Sequence, residues 1–231
     1  MSSDLLLFGA GGALGSAICA HLLGQGFALH TAGGSTLPGA ASHHPLSYDA
    51  PVEASTFAGL PSLDAVIWAQ GLNCSDTVAS FKSADLQRLL QGNVLFVASS
   101  IQALLAAGRL RMGCRLVVVS SIWQLESRPG KFSYTVSKAA LQGLVKSCAL
   151  DLGPRGIVIN AVLPGVVDTP MTRAHLSAEQ IAAITAQSAL GRLPQPADIA
   201  EAVGFLASSA NRVITGQFLT VDAGFIGLKH A

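Results

Sequence analysis

Charge is what this chain has least of. Only 12% of its residues are Asp, Glu, Lys or Arg, about half the usual share, while 50% are hydrophobic and 6% aromatic. Residues 5 to 48 contain no Asp, Glu, Lys or Arg at all. A net charge of +1 leaves no field to draw in nucleic acid or an anionic membrane surface. Cysteine is scarce too. Cys19, Cys74, Cys114 and Cys148 form no CxxC, so the spacing indicates neither a zinc site nor a disulfide framework. No metal is expected, and free thiols fit a reducing, cytoplasmic compartment.

The uncharged start raises the question of a signal segment or a membrane span. No basic residue precedes the run Leu5–Phe8, and Asp4 stands there instead. Gly9, Gly11, Gly12 and Gly15 then break the run, whereas a span wants about 20 apolar residues. The segment reads as a buried strand entering a turn, with no membrane association.

At 231 residues the chain is long enough for one domain, 1–231, with a full sheet as its core. Apolar runs at 5–8, 27–31, 65–69, 115–121, 157–162 and 218–222 read as strands. Helical patterns lie between them, near 14–24, 77–91, 94–111, 133–152 and 197–209. Strands that are apolar along their whole length are covered on both faces. The expected fold class is therefore α/β, a Rossmann-type doubly wound parallel sheet with helices on both faces. Proline-rich loops around Pro164–Pro170 and Pro194–Pro196 flank a short helical insert.

Two local patterns carry chemistry. Between the first strand and the first helix, Gly9, Gly12 and Gly15 fit GxxGxxG. Glycine there permits a tight turn and a close approach of backbone to a pyrophosphate, which the helix N-terminus then favours. Further on, "FSYTVSK" places Tyr134 and Lys138 four residues apart in a helical pattern. Such residues share a face with Cβ atoms about 5–6 Å apart. An ammonium beside a phenol favours the phenolate and lowers its pKa from about 10, so the tyrosine can exchange a proton with a carbonyl or alcohol.

Ser121 stands thirteen residues before Tyr134, "QGNVLF" carries Asn93, and "NAVLPGVVDTPM" follows downstream. With the glycine turn and the ending "ITGQFLTVDAG", this order resembles the short-chain dehydrogenase/reductase family in its single-domain form, along essentially the whole chain. It is similar to the 3-oxoacyl-(acyl-carrier-protein) reductases. The resemblance implies a catalytic set of Asn93, Ser121, Tyr134 and Lys138. Tyr134 serves as proton donor or acceptor, Ser121 orients the substrate oxygen, and Lys138 also holds the nicotinamide ribose. Asn93 breaks regular helix bonding and keeps a water in a proton relay. The backbone of Val167 and the hydroxyl of Thr169 match positions near the nicotinamide carboxamide. Ala69 and Gly71 belong to the segment that meets the cofactor after the family's fourth strand.

The adenosine side departs from the family. Its Asn-Asn-Ala-Gly is "WAQG" here, Phe8 replaces a frequent Thr, and Leu46 stands for an acidic residue, with Asp49 three later. These changes are expected to thin the polar contacts to adenosine. The position where NAD enzymes of this fold carry an acid is Gly33, 18 residues past Gly15. Without a carboxylate, the backbone of Gly33 and Gly34 and the hydroxyls of Ser35 and Thr36 are left to meet a 2′-phosphate. NADP is thus expected with a moderate preference, NAD remains usable, and Asp at Gly33 is expected to reverse the order.

The substrate mouth should be apolar, with Trp123, Leu125, Met171 and His175, and suited to a ketone, alcohol or acyl thioester. Arg109, Arg111, Arg115 and Arg155 offer a basic edge for an acyl carrier protein, or simply a solvated one. A small-residue face on the Tyr134 helix suggests a homotetramer. Two other readings stay open: an NAD-dependent alcohol dehydrogenase, and a catalytically silent nucleotide-binding protein.

Overall fold

The computed structural model describes residues 3–35 and 37–228, so Thr36 lies outside the described residues. Seven strands form one parallel sheet in the order β3-β2-β1-β4-β5-β6-β7. They are β1 (Asp4–Phe8), β2 (Ala28–Gly33), β3 (Ser42–Pro45), β4 (Leu63–Trp68), β5 (Leu110–Val119), β6 (Val158–Pro164) and β7 (Phe218–Val221). The helices are α1 (Ala13–Gly24), α2 (Ser83–Leu90), α3 (Phe96–Ala106), α4 (Phe132–Leu152), α5 (Pro170–His175), α6 (Ala178–Gln187) and α7 (Pro196–Ala207).

Alternation along the strands explains the uncharged start. Leu6, Phe8, Val66, Trp68, Leu116 and Val118 face α3 and α4, whereas Leu5, Leu7, Ala65, Ile67, Val117 and Val119 face α1 and α7. Both faces are dry, so neither tolerates charge. Where α1 crosses α7, a Cβ on Gly204 would fall 2.5 Å from the His21 ring, so glycine there lets the ring lie against α7.

The substituted residues on the adenosine side pack inward. Phe8 and Trp68 are fully buried core residues, stacked on each other at 5.6 Å, with the Trp68 indole donating to Ser100 Oγ at 2.8 Å. Replacing polar residues with these two fills the core. Asp49 turns outward to the Ser47 hydroxyl, and Leu46 packs on the core.

Three element boundaries also differ from the sequence expectation. Strand β3 was not expected, because "SHHP" is polar; it pairs only with β2, at the sheet edge, where apolar patterning does not apply. Helix α2 begins at Ser83, because Thr77 to Phe81 form a turn closed by the Ser80 hydroxyl. Helix α3 stops at Ala106, where Gly108 turns left-handed (φ 65°) and frees the chain to enter β5 at Leu110. Together α2, a π-helical turn at Gln91–Leu95 and α3 make a rod, Ser83–Ala106, long and apolar enough to cross a membrane by length and composition; half of its most apolar stretch is buried inside the fold.

Candidate active site

Parallel strands send all their C-terminal ends to one edge, and the strand order reverses between β1 and β4. At that crevice Gly9 has φ 81°, and a Cβ there would lie 2.4 Å from the Gln70 nitrogen. A Cβ on Gly15 would fall 2.0 Å from the Gly9 carbonyl. These two glycines are required by backbone contact alone. Gly12 is the N-cap of α1 and offers no side-chain cap, so the helix N–H groups face the turn. Ser35 leans on the turn, within 2.9 Å of a Cβ built on Gly11. The result is a cradle of bare backbone that fits a pyrophosphate.

The catalytic candidates gather on the next strands. Ser121 follows β5, and its Oγ accepts the Trp123 N–H at 3.2 Å, starting a short 3-10 turn. Tyr134 lies in the first turn of α4, and Lys138 one turn later, its Nζ 5.7 Å from the Tyr134 ring centre. A Cβ on Gly71 would sit 3.5 Å from Lys138 Nζ and 3.8 Å from Asn93 Oδ1, so the end of β4 faces both.

Asn93 sits inside the π turn, as its expected break in helix bonding requires. Its side chain, however, is engaged at three of its four hydrogen-bonding positions. Oδ1 accepts the Leu72 N–H at 2.7 Å, while Nδ2 donates to the Leu72 carbonyl and to Ser137 Oγ, both at 3.0 Å. The amide thus imitates a strand pairing and ties β4, the α2–α3 rod and α4 together.

The electrostatics correct a further expectation. Lys138 was expected to lower the Tyr134 pKa. Burial instead pushes the phenol up, and a hydrogen bond with the Ser121 hydroxyl only partly opposes it. Burial also drives Lys138 down to about 8, because low dielectric disfavours both charged forms. Both groups are thus shifted toward their neutral forms.

Sequence reasoning missed Lys131, three residues before Tyr134. Its Nζ donates to Asn73 Oδ1, the Cys74 carbonyl and Ser75 Oγ at 2.9, 3.1 and 3.2 Å, and lies 5.7 Å from the Tyr134 ring centre. Asp76 accepts the Ser133 N–H at 2.9 Å, capping α4. Burial works against its charge, but the Ser133 bonds hold its carboxyl below the usual range. Also missed were Gln70 and Gln124, both buried, whose carboxamides have no partner among the described residues, and Ser120, whose hydroxyl has none there either. All three lie just past β4 or β5, where such orphaned groups fit a polar ligand.

Of the remaining candidates, Ala69 and Gly71 line the end of β4. Val167 and Thr169 follow β6, but the Thr169 hydroxyl caps α5 by accepting the Thr172 N–H, and the Val167 carbonyl accepts the Thr172 hydroxyl at 2.6 Å. Trp123 and Leu125 stand past β5, with the Arg128 guanidinium 5.8 Å over the Trp123 ring. Met171 and His175 lie on α5, past β6, and are exposed. Arg109, Arg111 and Arg155 lie at the opposite edge of the sheet, bonded to Leu60, to Asp64 and Ser62, and to Leu110. Arg115, within β5, turns to the Asn211 carbonyl. The ten residues of β5 put Arg111 about 30 Å from Ser121, so this basic edge does not face the site.

A family profile described as Enoyl-(Acyl carrier protein) reductase matches residues 51–226. Cyclopentanol dehydrogenase of Comamonas sp. (strain NCIMB 9872) is 37% identical over 165 residues, 71% of this chain and 66% of that protein. The 3-oxoacyl-(acyl-carrier-protein) reductase FabG of Rickettsia bellii (strain RML369-C) is 34% identical over 173 residues, 73% of this chain and 70% of that protein. The chain belongs to the short-chain dehydrogenase/reductase family. A blue fluorescent protein from a metagenomic library, solved in complex with NADPH, superposes with a TM-score of 0.86 at 25% identity, over 97% of this chain and 98% of that one. The stretch shared with the cyclopentanol dehydrogenase spans just under two thirds of that relative's length.

Lys138 yields a test that is independent of turnover. Its folded pKa, about 8, lies below the ordinary lysine value, so between the two the unfolded chain binds more protons and stability rises with pH. Lys138→Met should be more stable than wild type at pH 7 by on the order of 2–3 kcal/mol, and the gap should narrow towards pH 10. Urea melts of both proteins at both pH values check this; a gap independent of pH contradicts it.

Proposed function

We propose that this protein is a carbonyl reductase that prefers NADPH and reduces a ketone or 3-oxoacyl substrate to a secondary alcohol, with Tyr134 as acid. The observation that carries the reading is Tyr134 in the first turn of α4, one helical turn from buried Lys138, with the Ser121 hydroxyl beside it at the end of β5. A phenol that keeps its proton is suited to giving it to a carbonyl oxygen. Ser121 orients that oxygen and stabilises the charge developing on it. Lys138 and Gly71 face the same space, where the ribose hydroxyls would be held. With its side chain engaged, Asn93 contributes through backbone carbonyls released by the π turn. When bound, a nicotinamide cofactor supplies the hydride.

Support for NADPH comes from the bare end of β2 and from the NADPH complex of the structural relative. A cyclopentanol dehydrogenase among the relatives favours the second reading, oxidation of an alcohol with NAD. The FabG relative supports a 3-oxoacyl substrate, for which a free thioester suits the site as well as one on a carrier protein. Four free thiols support a reducing, cytoplasmic setting. The stripe Val136, Ala139, Ala140, Gly143, Ser147 and Leu150 on α4 is exposed, and such a stripe supports a homotetramer with twofold contacts.

Tyr134→Phe keeps the ring and loses the transferable proton. Turnover, followed as NADPH absorbance with ketones and 3-oxoacyl thioesters, should fall about 10²–10⁴-fold while dinucleotide binding survives. Turnover near wild type would remove Tyr134 from the mechanism. Asp at Gly33 is not expected to swap the cofactor, since φ is 133° and a Cβ there would clash with the Tyr48 hydroxyl. Gly34 is exposed and open. Gly34→Asp should weaken NADPH about tenfold and leave NADH little changed, read by nicotinamide fluorescence; equal loss of both rejects the 2′-phosphate reading. Light scattering should give four times 23.6 kDa, and a stable monomer at micromolar concentration contradicts the tetramer.

A further inference from the structure

The geometry points to Tyr48 as the residue that sets the adenosine end of the dinucleotide site, an inference that rests on the nucleotide-binding reading above. Tyr48 stands on the loop after β3, and its hydroxyl is used twice. It accepts the Gly9 N–H at 2.9 Å and donates to the Ala32 carbonyl at 3.1 Å. The first glycine of the phosphate turn, whose N–H also reaches the Ala32 carbonyl at 3.4 Å, is clasped to the end of β2 by this shorter pair of bonds. The ring is fixed edge-on against Phe96, with centres 4.8 Å apart. Burial pushes the phenol up, with the Gly9 bond acting against it, so the hydroxyl stays protonated and keeps both roles.

The same hydroxyl governs what residue 33 can be. A Cβ on Gly33 would lie 2.0 Å from the Tyr48 oxygen and 2.9 Å from its ring carbon, and the backbone there has φ 133°. The carboxylate that reads a ribose 2′-hydroxyl at the end of the second strand in this fold has no room. Tyr48 thus does two things for an adenosine diphosphate moiety. It holds the turn in the shape that meets the pyrophosphate, and it leaves the ribose 2′ position to residues beyond Gly33. There Gly34 is open and Ser35 lies against the turn at Gly11.

Calorimetry with fragments tests this without turnover. ADP-ribose, 2′-phospho-ADP-ribose and reduced nicotinamide mononucleotide are titrated into wild type and Tyr48→Phe, which keeps the ring on Phe96. Losing the clasp should weaken both adenosine fragments alike, by about three- to tenfold, and leave the mononucleotide unchanged. In turnover the loss should fall on the KM for the dinucleotide rather than on kcat. Unchanged affinity for the two adenosine fragments overturns the proposal, and so does an equal loss of all three ligands, which marks general loosening. Gly33→Asp should lose both adenosine fragments where Gly34→Asp keeps ADP-ribose; a Gly33→Asp protein that melts normally and binds ADP-ribose tightly also overturns it. Wild type that binds neither adenosine fragment overturns the nucleotide reading itself, and this inference with it.

Discussion

The site depends on one backbone contact, the seating of Gly9 against Ala69 and Gln70 at the point where the strand order reverses. No side chain fits there. Because β1 and β4 close so tightly, the glycine turn opens directly beside Gly71, and Gly71 faces Lys138 and Asn93. The glycine turn and the Tyr134 helix are thereby brought to one crevice, although more than a hundred residues separate them in the chain.

Most of the fold was legible because both sheet faces are dry. Apolar runs marked six of the seven strands, and the gaps between them marked the helices that cover those faces. Strand β3 escaped because an edge strand of polar residues leaves no hydrophobic trace. The early start of β5 escaped because the glycine-ended helix before it reads as continuous helix until Gly108 is seen to turn left-handed. The spacing of Ser121, Tyr134 and Lys138 was visible in the chain, but the direction of the pKa shifts was not. Spacing shows which groups are neighbours; it does not show how much water has been taken from them, and burial dominates here. Tyr48 was illegible for a similar reason, since its partners Gly9 and Ala32 are distant in sequence.

The π turn at Gln91–Leu95 and the Lys131 contacts form a second frame around Tyr134. Asn93 holds Leu72 from one side, and Lys131 holds the next three residues of the same loop from the other. Asp76 then fastens that loop to the first turn of α4. Each bond satisfies a group that would otherwise be costly to bury, and together they leave Tyr134 little freedom to shift relative to Ser121.

The polar edge strand has a consequence for the chain's behaviour in a crowded solution. An open sheet ends in unpaired N–H and C=O groups, a template on which a foreign strand can grow. On this side the template is only Ser42, His43, His44 and Pro45. It is short, one of its four residues lacks an N–H, and its imidazoles are engaged, His43 by Thr31 on β2 and His44 by Ser42 on the same strand. A chain with so few charges has little electrostatic repulsion to keep its copies apart. The strand least visible in the sequence is therefore a poor template for edge-to-edge pairing on its side of the sheet.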